Sequence, residues 1–245
     1  MFTLIENIKE QNAKFYDTEA ESYDRSRYST RRGARVDRFQ KRVLDSYLDT
    51  GELGGSSVLE VGCGTGRFLP FMANKGCSVT GIDISEEMLK VAMTRIAISE
   101  SKDITLLLND ADSIPAEKNS FDIVYSILVI NLLPNFEDVF KEINRVIKPN
   151  GSFIFSVPFL DSIYRPVGFY VNRRGKTVRS NPSGYRYSHW FGMKELKEAL
   201  DKAGFKIKAV TGQPPHVQLF DDVKAFKTGI GLKFSKSIYV NAKVK

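Results

Sequence analysis

The sequence predicts an α/β fold in which a doubly wound, mainly parallel sheet carries helices on both faces. Three observations lead there. Short apolar strands alternate with helix-period segments through short connections, the pattern of βα units. The run Val58-Leu59-Glu60-Val61-Gly62-Cys63-Gly64-Thr65-Gly66 reads as a buried strand entering a glycine-rich turn. An acidic residue, Asp83, closes the next apolar strand, Ser78-Val79-Thr80-Gly81-Ile82.

In chain order, Phe2 to about Asp49 reads as helical, in two or three pieces broken near Ser29-Thr30 and Gly33. Val36, Phe39, Val43, Leu44 and Tyr47 recur at helical spacing and give one apolar face. The first strand is Ser57 to Val61, followed by a helix from Arg67 to Asn74. The second strand precedes a helix from Glu86 to about Ala97, with Ser85 as N-cap and two acids in the first turn. Strands follow at Ile104 to Leu108 and Phe121 to Ser126. A helix from Pro134 or Asn135 to Val146 is ended by Lys148-Pro149-Asn150-Gly151, and the fifth strand is Ser152 to Val157. From Pro158 to Trp190 the alternation lapses. It resumes with a helix from Met193 to Ala203, closed by Gly204, and a strand from Phe205 to Val210. A short helix near Asp221 to Phe226 and an alternating strand, Ser237 to Val244, complete the chain. The expected organisation is a helical cap over residues 1–50 and a cofactor-binding domain over 51–245, with a lid insertion at about 158–190.

In open parallel sheets, ligands bind beyond the carboxyl ends of the strands. The Gly62–Gly66 turn, Asp83, the Asn109-Asp110-Ala111 segment and Ser126 all fall at such ends and are expected to converge on one crevice. A helix after the turn directs free backbone N–H groups into the same space. The glycines fall as G-x-G-x-G rather than the G-x-G-x-x-G of dinucleotide sites. An acid at the tip of the second strand suits both hydroxyls of a ribose. A nucleoside without pyrophosphate is therefore expected.

The net charge is +7, and it is unevenly spread. The segments Arg25 to Arg42 and Phe159 to Trp190 together carry +12, leaving −5 for the remainder. No apolar run approaches the roughly 20 residues that span a bilayer. The start, Met1-Phe2-Thr3-Leu4-Ile5-Glu6, lacks a signal-peptide pattern. Two cysteines, Cys63 and Cys77, make neither a disulfide framework nor a metal set. A cytoplasmic location is expected.

The ordered motifs resemble those of class I S-adenosylmethionine-dependent methyltransferases. They are Glu60-Val61-Gly62-Cys63-Gly64-Thr65-Gly66; Gly81-Ile82-Asp83-Ile84-Ser85 with Met88; Asn109-Asp110-Ala111 before Ile114-Pro115; Asn119-Ser120-Phe121-Asp122-Ile123-Val124-Tyr125-Ser126; Leu132-Leu133-Pro134; and Ile147-Lys148-Pro149-Asn150-Gly151. The resemblance covers about Tyr16 to the C-terminus and implies a Rossmann-like sheet of seven strands with the last antiparallel. It implies that the Gly62–Gly66 turn holds the methionine part of S-adenosyl-L-methionine, with S-adenosyl-L-homocysteine as product. By the same resemblance Asp83 binds the ribose diol, and Ile84 with Met88 flanks the adenine. Asp110 accepts from the adenine amino group, Ala111 donates a backbone N–H, and Tyr23 closes over the methionine end. Glu60, Cys63 and Ser126 complete the expected cofactor set. Where many relatives have His after an apolar run before Leu-Pro, this chain has Val129-Ile130-Asn131-Leu132-Leu133-Pro134.

Methyl transfer needs an in-line nucleophile held in a dry site, and a base only where the nucleophile must lose a proton. Of the two histidines, His189 is the better base candidate; the alternative is that it holds a loop in place. Both basic segments fall where the family builds its substrate lid. Arg173, Arg174, Arg186 and Tyr187 are therefore the expected substrate contacts, for a small acidic or phosphate-bearing acceptor. The competing readings are an RNA methyltransferase, a non-catalytic cofactor-binding regulator and a dinucleotide oxidoreductase. The sequence leaves the oligomeric state open.

Overall fold

The computed structural model describes residues 3–48, 53–99, 101–162, 176–181, 184–214 and 232–245, with the side chains of 176–186 outside that description. The chain opens with two helices, α1 (Leu4–Arg27) and α2 (Arg31–Tyr47). The series β1 (Ser57–Val61), α3 (Leu69–Ala73), β2 (Ser78–Asp83), α4 (Glu86–Ser99), β3 (Ile104–Leu108), β4 (Phe121–Ile127), α5 (Phe136–Val146) and β5 (Ile147–Pro158) follows. After it come β6 (Lys176–Asn181), β7 (Gly184–His189), α6 (Met193–Lys202), β8 (Phe205–Gln213) and β9 (Ser237–Val244). Seven strands form one sheet in the order β3-β2-β1-β4-β5-β9-β8. The first five run parallel, and β9 runs antiparallel to both of its neighbours, as expected. Strand order reverses between β1 and β4, so the crevice opens there.

Alternation along each strand divides the core into two layers. Phe153 and Phe155 face α5 and α6, stacked at 4.6 Å and packed on Phe140 at 5.7 and 5.5 Å. Ile154, between them, faces the other layer with Tyr125 and Tyr239. There α2 delivers Phe39, Val43, Leu44 and Tyr47, the face expected from helical spacing. Tyr47 donates its hydroxyl to the Tyr239 carbonyl at 3.1 Å, tying α2 to β9.

Some boundaries differ from expectation for local reasons. The first helical break lies at Tyr28–Thr30 alone; Gly33 sits in the first turn of α2, where a Cβ would fall 2.0 Å from the Arg27 carbonyl oxygen. The fifth strand starts at Ile147, because Ile147 pairs with Phe121 before a bulge shifts the register. Two antiparallel strands, β6 and β7, occupy part of the stretch without visible alternation. Ser85 does cap α4, accepting from Met88 N at 3.2 Å, and Gly204 closes α6 at φ +84°. The short helix expected near Asp221 lies outside the described residues. Among the described residues no helix is long and apolar enough to cross a membrane.

Candidate active site

The glycine turn follows from its own sterics. Gly62, Gly64 and Gly66 all have positive φ, at +72°, +52° and +71°. A Cβ on Gly62 would lie 2.5 Å from the methyl carbons of Val129, so close packing as well as φ requires glycine there. A Cβ on Gly64 would meet nothing within 4 Å, because that position faces open space. The N–H groups of Gly62 and Cys63 both donate to the Ile82 carbonyl, at 2.8 and 2.9 Å, fastening the turn to β2. Asp83 then joins two loops: its Oδ2 accepts from Gly64 N at 2.7 Å and its Oδ1 from Ser85 N at 2.9 Å.

Burial sets the charges around this turn. Glu60 is pushed up to about 8, opposed by the Tyr125 hydroxyl, which donates to it at 2.9 Å, and by the Arg67 charge. It is therefore mostly protonated at neutral pH. Burial also raises Asp83, against hydrogen bonds from the Ser85, Gly64 and Ile84 N–H groups. The Cys63 thiol is pushed well up, first by burial and then by the neighbouring acid Asp83, so it is held in the thiol form.

Helix α1 crosses the crevice and roofs a cavity whose free space, counted with the solvent at its mouth, is about 1000 Å³. Lys9, Asn12, Tyr16 and Tyr23 line it from α1, spaced so that they share one helical face. Four attachments hold the roof, each landing on a loop at the crevice. Lys9 pairs with Asp110 at 2.9 Å and with Asp112. Asn12 Nδ2 donates to the Leu132 carbonyl at 2.9 Å, and Ser85 Oγ donates to Asp17 at 2.5 Å. Asp24 accepts from Thr65 Oγ1 at 2.9 Å and pairs with Arg95, which also donates to the Thr65 carbonyl at 2.8 Å.

One end of the cavity is aromatic. Tyr16, Tyr23 and Tyr28 follow one another at 6.1 and 6.3 Å between ring centroids. The Arg27 guanidinium lies 4.3 Å over Tyr23, and that of Arg67 lies 3.9 Å over Tyr28. Arg67 is held from α2 by Asp37 and by Gln40 Oε1 at 2.7 Å. Burial pushes Tyr28 up to about 12, so its hydroxyl stays a donor.

The comparisons with known proteins agree with this geometry. A family model described as a methyltransferase domain matches residues 59–155, from β1 through most of β5. The demethylmenaquinone methyltransferase of Tropheryma whipplei is 32% identical over 204 residues, covering 79% of this chain and 82% of that protein. The chain belongs to the class I S-adenosylmethionine-dependent methyltransferases. The demethylmenaquinone methyltransferase of Staphylococcus aureus is 31% identical over 192 residues, covering 71% of this chain and 78% of that protein. A solved methyltransferase from Thermotoga maritima shares the fold at 19% identity, with a TM-score of 0.71 over 94% of this chain and 99% of that one. Another from Mesorhizobium loti does so at 23% identity and a TM-score of 0.63, over 82% and 96%.

This methyltransferase uses S-adenosylmethionine, and the donor set suits it. The backbone at Gly64 faces open space that any side chain would enter, and a carboxylate stands at the end of β2. Of the expected contacts, Tyr23, Glu60, Gly62, Cys63, Gly64, Asp83, Ile84, Met88, Asp110 and Ala111 line the cavity. Gly66 and Ser126 do not: Gly66 faces Ala92 of α4, and Ser126 donates across strands to the Val61 carbonyl at 3.0 Å. His189 is also outside the lining. Its ring sits between Phe136 and Phe191, at 5.3 and 4.4 Å, with Nε2 2.9 Å from Glu195 Oε1. Tyr187 is half-buried on β7, while Arg173, Arg174 and the Arg186 side chain lie outside the described residues. The structure adds Lys9, Asn12, Arg67, Phe68, Val129, Leu132 and Leu133 to the lining. The shared helical face of Lys9, Asn12, Tyr16 and Tyr23 was the one sequence signal that could have found the α1 contacts.

Proposed function

We propose that this methyltransferase alkylates a ring carbon of an aromatic hydroquinone, the reduced form of an acceptor of the demethylmenaquinone type. The observation that carries the reading is the similarity to demethylmenaquinone methyltransferases, which extends over four-fifths of both chains. The aromatic end of the cavity, with Tyr16, Tyr23, Tyr28 and Phe68, supports a flat apolar acceptor. Lys9 and Arg67, the two cations among the described lining residues, are each paired with carboxylates. The cavity therefore gives an anionic acceptor no unmatched charge to bind among its described residues. The acceptor is reduced because a quinone ring carbon is electrophilic, whereas the carbon beside a hydroquinone hydroxyl is nucleophilic.

The cofactor supplies an electrophilic methyl group on a sulfonium. The protein positions and dries the reactants. In this reading Asp83 takes the ribose hydroxyls, while Ile84, Met88 and Ala111 enclose the adenine beside Asp110. The bare Gly62–Gly64 backbone receives the methionine end, and α1 excludes water. The methylated carbon then loses its proton to solvent as the ring regains aromaticity, with no transfer assigned to His189, whose ring is walled off by Phe136 and Phe191.

The test is anaerobic incubation with S-adenosylmethionine and a prenylated naphthohydroquinone, followed by mass analysis. The expected product has gained one methylene unit in step with release of S-adenosylhomocysteine. Binding of S-adenosylhomocysteine without any methylated product would overturn the acceptor and leave the family assignment intact.

A further inference from the structure

Asn12, a residue of the cavity lining, carries a buried acceptor without a donor. The residue is only 7% exposed, yet it lines the cavity from α1. Its amide orientation is determined by its neighbour: the Leu132 carbonyl only accepts, so the group 2.9 Å from it is Nδ2. That leaves Oδ1, which is buried and has no hydrogen-bond partner among the described residues. A buried carbonyl oxygen without a donor is costly. A ligand that brings a donor relieves that cost.

Position on α1 says which ligand. Lys9 fastens the helix over Asp110, and Asp24 fastens it to Thr65 in the glycine turn. The cavity face from Lys9 to Tyr23 spans about 21 Å. Asn12 lies between those two anchors, on the helical face that lines the cavity. Behind it Asn131 donates to Ser188 Oγ at 3.1 Å, and so supports the loop that carries Leu132 without lining the cavity itself.

We infer that Asn12 is the residue that selects and orients the acceptor, its Oδ1 accepting a hydrogen bond from a ring hydroxyl. The inference rests on the hydroquinone reading above and adds what distinguishes a hydroxylated ring from an apolar one of the same shape.

The experiment measures binding in the presence of S-adenosylhomocysteine, under reducing conditions. The two ligands are naphthohydroquinone and the naphthalene in which methyl groups replace both hydroxyls. The full-length chain is compared with Asn12→Leu, which conserves volume, and with Asn131→Leu as a control outside the lining. The wild type should prefer the hydroquinone by about tenfold or more. In Asn12→Leu that preference should collapse; in Asn131→Leu it should persist. A structural role alone would weaken both ligands equally and keep their ratio. An unchanged ratio in Asn12→Leu therefore overturns the assignment. Failure of the wild type to bind either ring overturns the acceptor reading and this inference with it.

Discussion

Asp83 accepts a hydrogen bond from the backbone N–H of Gly64 at 2.7 Å, so the residue expected to read the ribose also holds the turn expected to receive the methionine. Its other oxygen is engaged by Ser85 N at 2.9 Å. One carboxylate thus sets the spacing between two cofactor-facing loops. Replacing it should disturb both the contact and the shape. For Asp83→Asn, S-adenosylhomocysteine affinity should fall about 10- to 100-fold, the range for hydrogen bonds to a charged group. Isothermal titration calorimetry checks this, and an unchanged Kd would remove Asp83 from the site.

Gly62 and Gly64 should respond differently to the same added methyl. At Gly62 a Cβ collides with Val129, so Gly62→Ala should lower the melting temperature sharply, and adding Val129→Ala should recover part of the loss. At Gly64 the strain is a positive φ alone, about 1–2 kcal/mol, and the methyl enters the open cradle. Gly64→Ala should therefore weaken cofactor binding more than it lowers stability. Thermal melts with and without S-adenosylhomocysteine separate the two cases. Equal behaviour at both positions would contradict the geometry.

Asp24 is the latch between α1 and the glycine turn, through Thr65 and Arg95. It stands beside Tyr23 in the sequence, so releasing it frees the aromatic that covers the crevice. Asp24→Ala should raise the KM for S-adenosylmethionine about tenfold or more, with a smaller effect on kcat. Thr65→Val, which removes one of the two tethers, should show a lesser change in the same direction. A fall in kcat at constant KM would mean that the latch serves chemistry rather than closure.

The sheet was legible because each strand is specified by contiguous residues. Val58 to Gly66 contains its own apolar body, its own turn and the acid that precedes it, and Asp83 needs only β2 to place it. The roof was not legible in the same way. Lys9 acquires its meaning from Asp110 and Asp112, about a hundred residues away, and Asn12 from Leu132. Arg67 read as the start of a helix, but Asp37 and Gln40 of α2 turn it over the Tyr28 ring. Strand β6 has no alternating apolar face to announce it, since Lys176 to Asn181 is largely polar. Strand β8 runs on to Gln213 because β9 offers it partners as far as Ser237. Local patterns reveal elements, whereas contacts made by docking one element onto another appear only in three dimensions.

Glu60 makes the cofactor site sensitive to pH, and the sign follows from its direction of shift. Burial raises it from 4.5 to about 8, so between those values the folded chain holds a proton that the unfolded chain has released. Stability from this group is present below about 4.5 and is lost as pH rises through about 8. Urea unfolding of the cofactor-free protein should show that loss, and Glu60→Gln, which stays neutral, should flatten it. Parallel profiles for the two proteins would count against a buried, protonated Glu60. Binding adds a second consequence. Glu60 lines the cavity, so a cationic ligand favours its ionised form, and the proton must leave. S-adenosylmethionine carries the sulfonium charge that S-adenosylhomocysteine lacks. Titrations near pH 7 in buffers of different ionisation enthalpy should therefore reveal more proton release with S-adenosylmethionine than with its product. In Glu60→Gln that difference should vanish. A difference that survives the substitution would locate the proton elsewhere, with Asp83 the next carboxylate to test, because burial raises it as well.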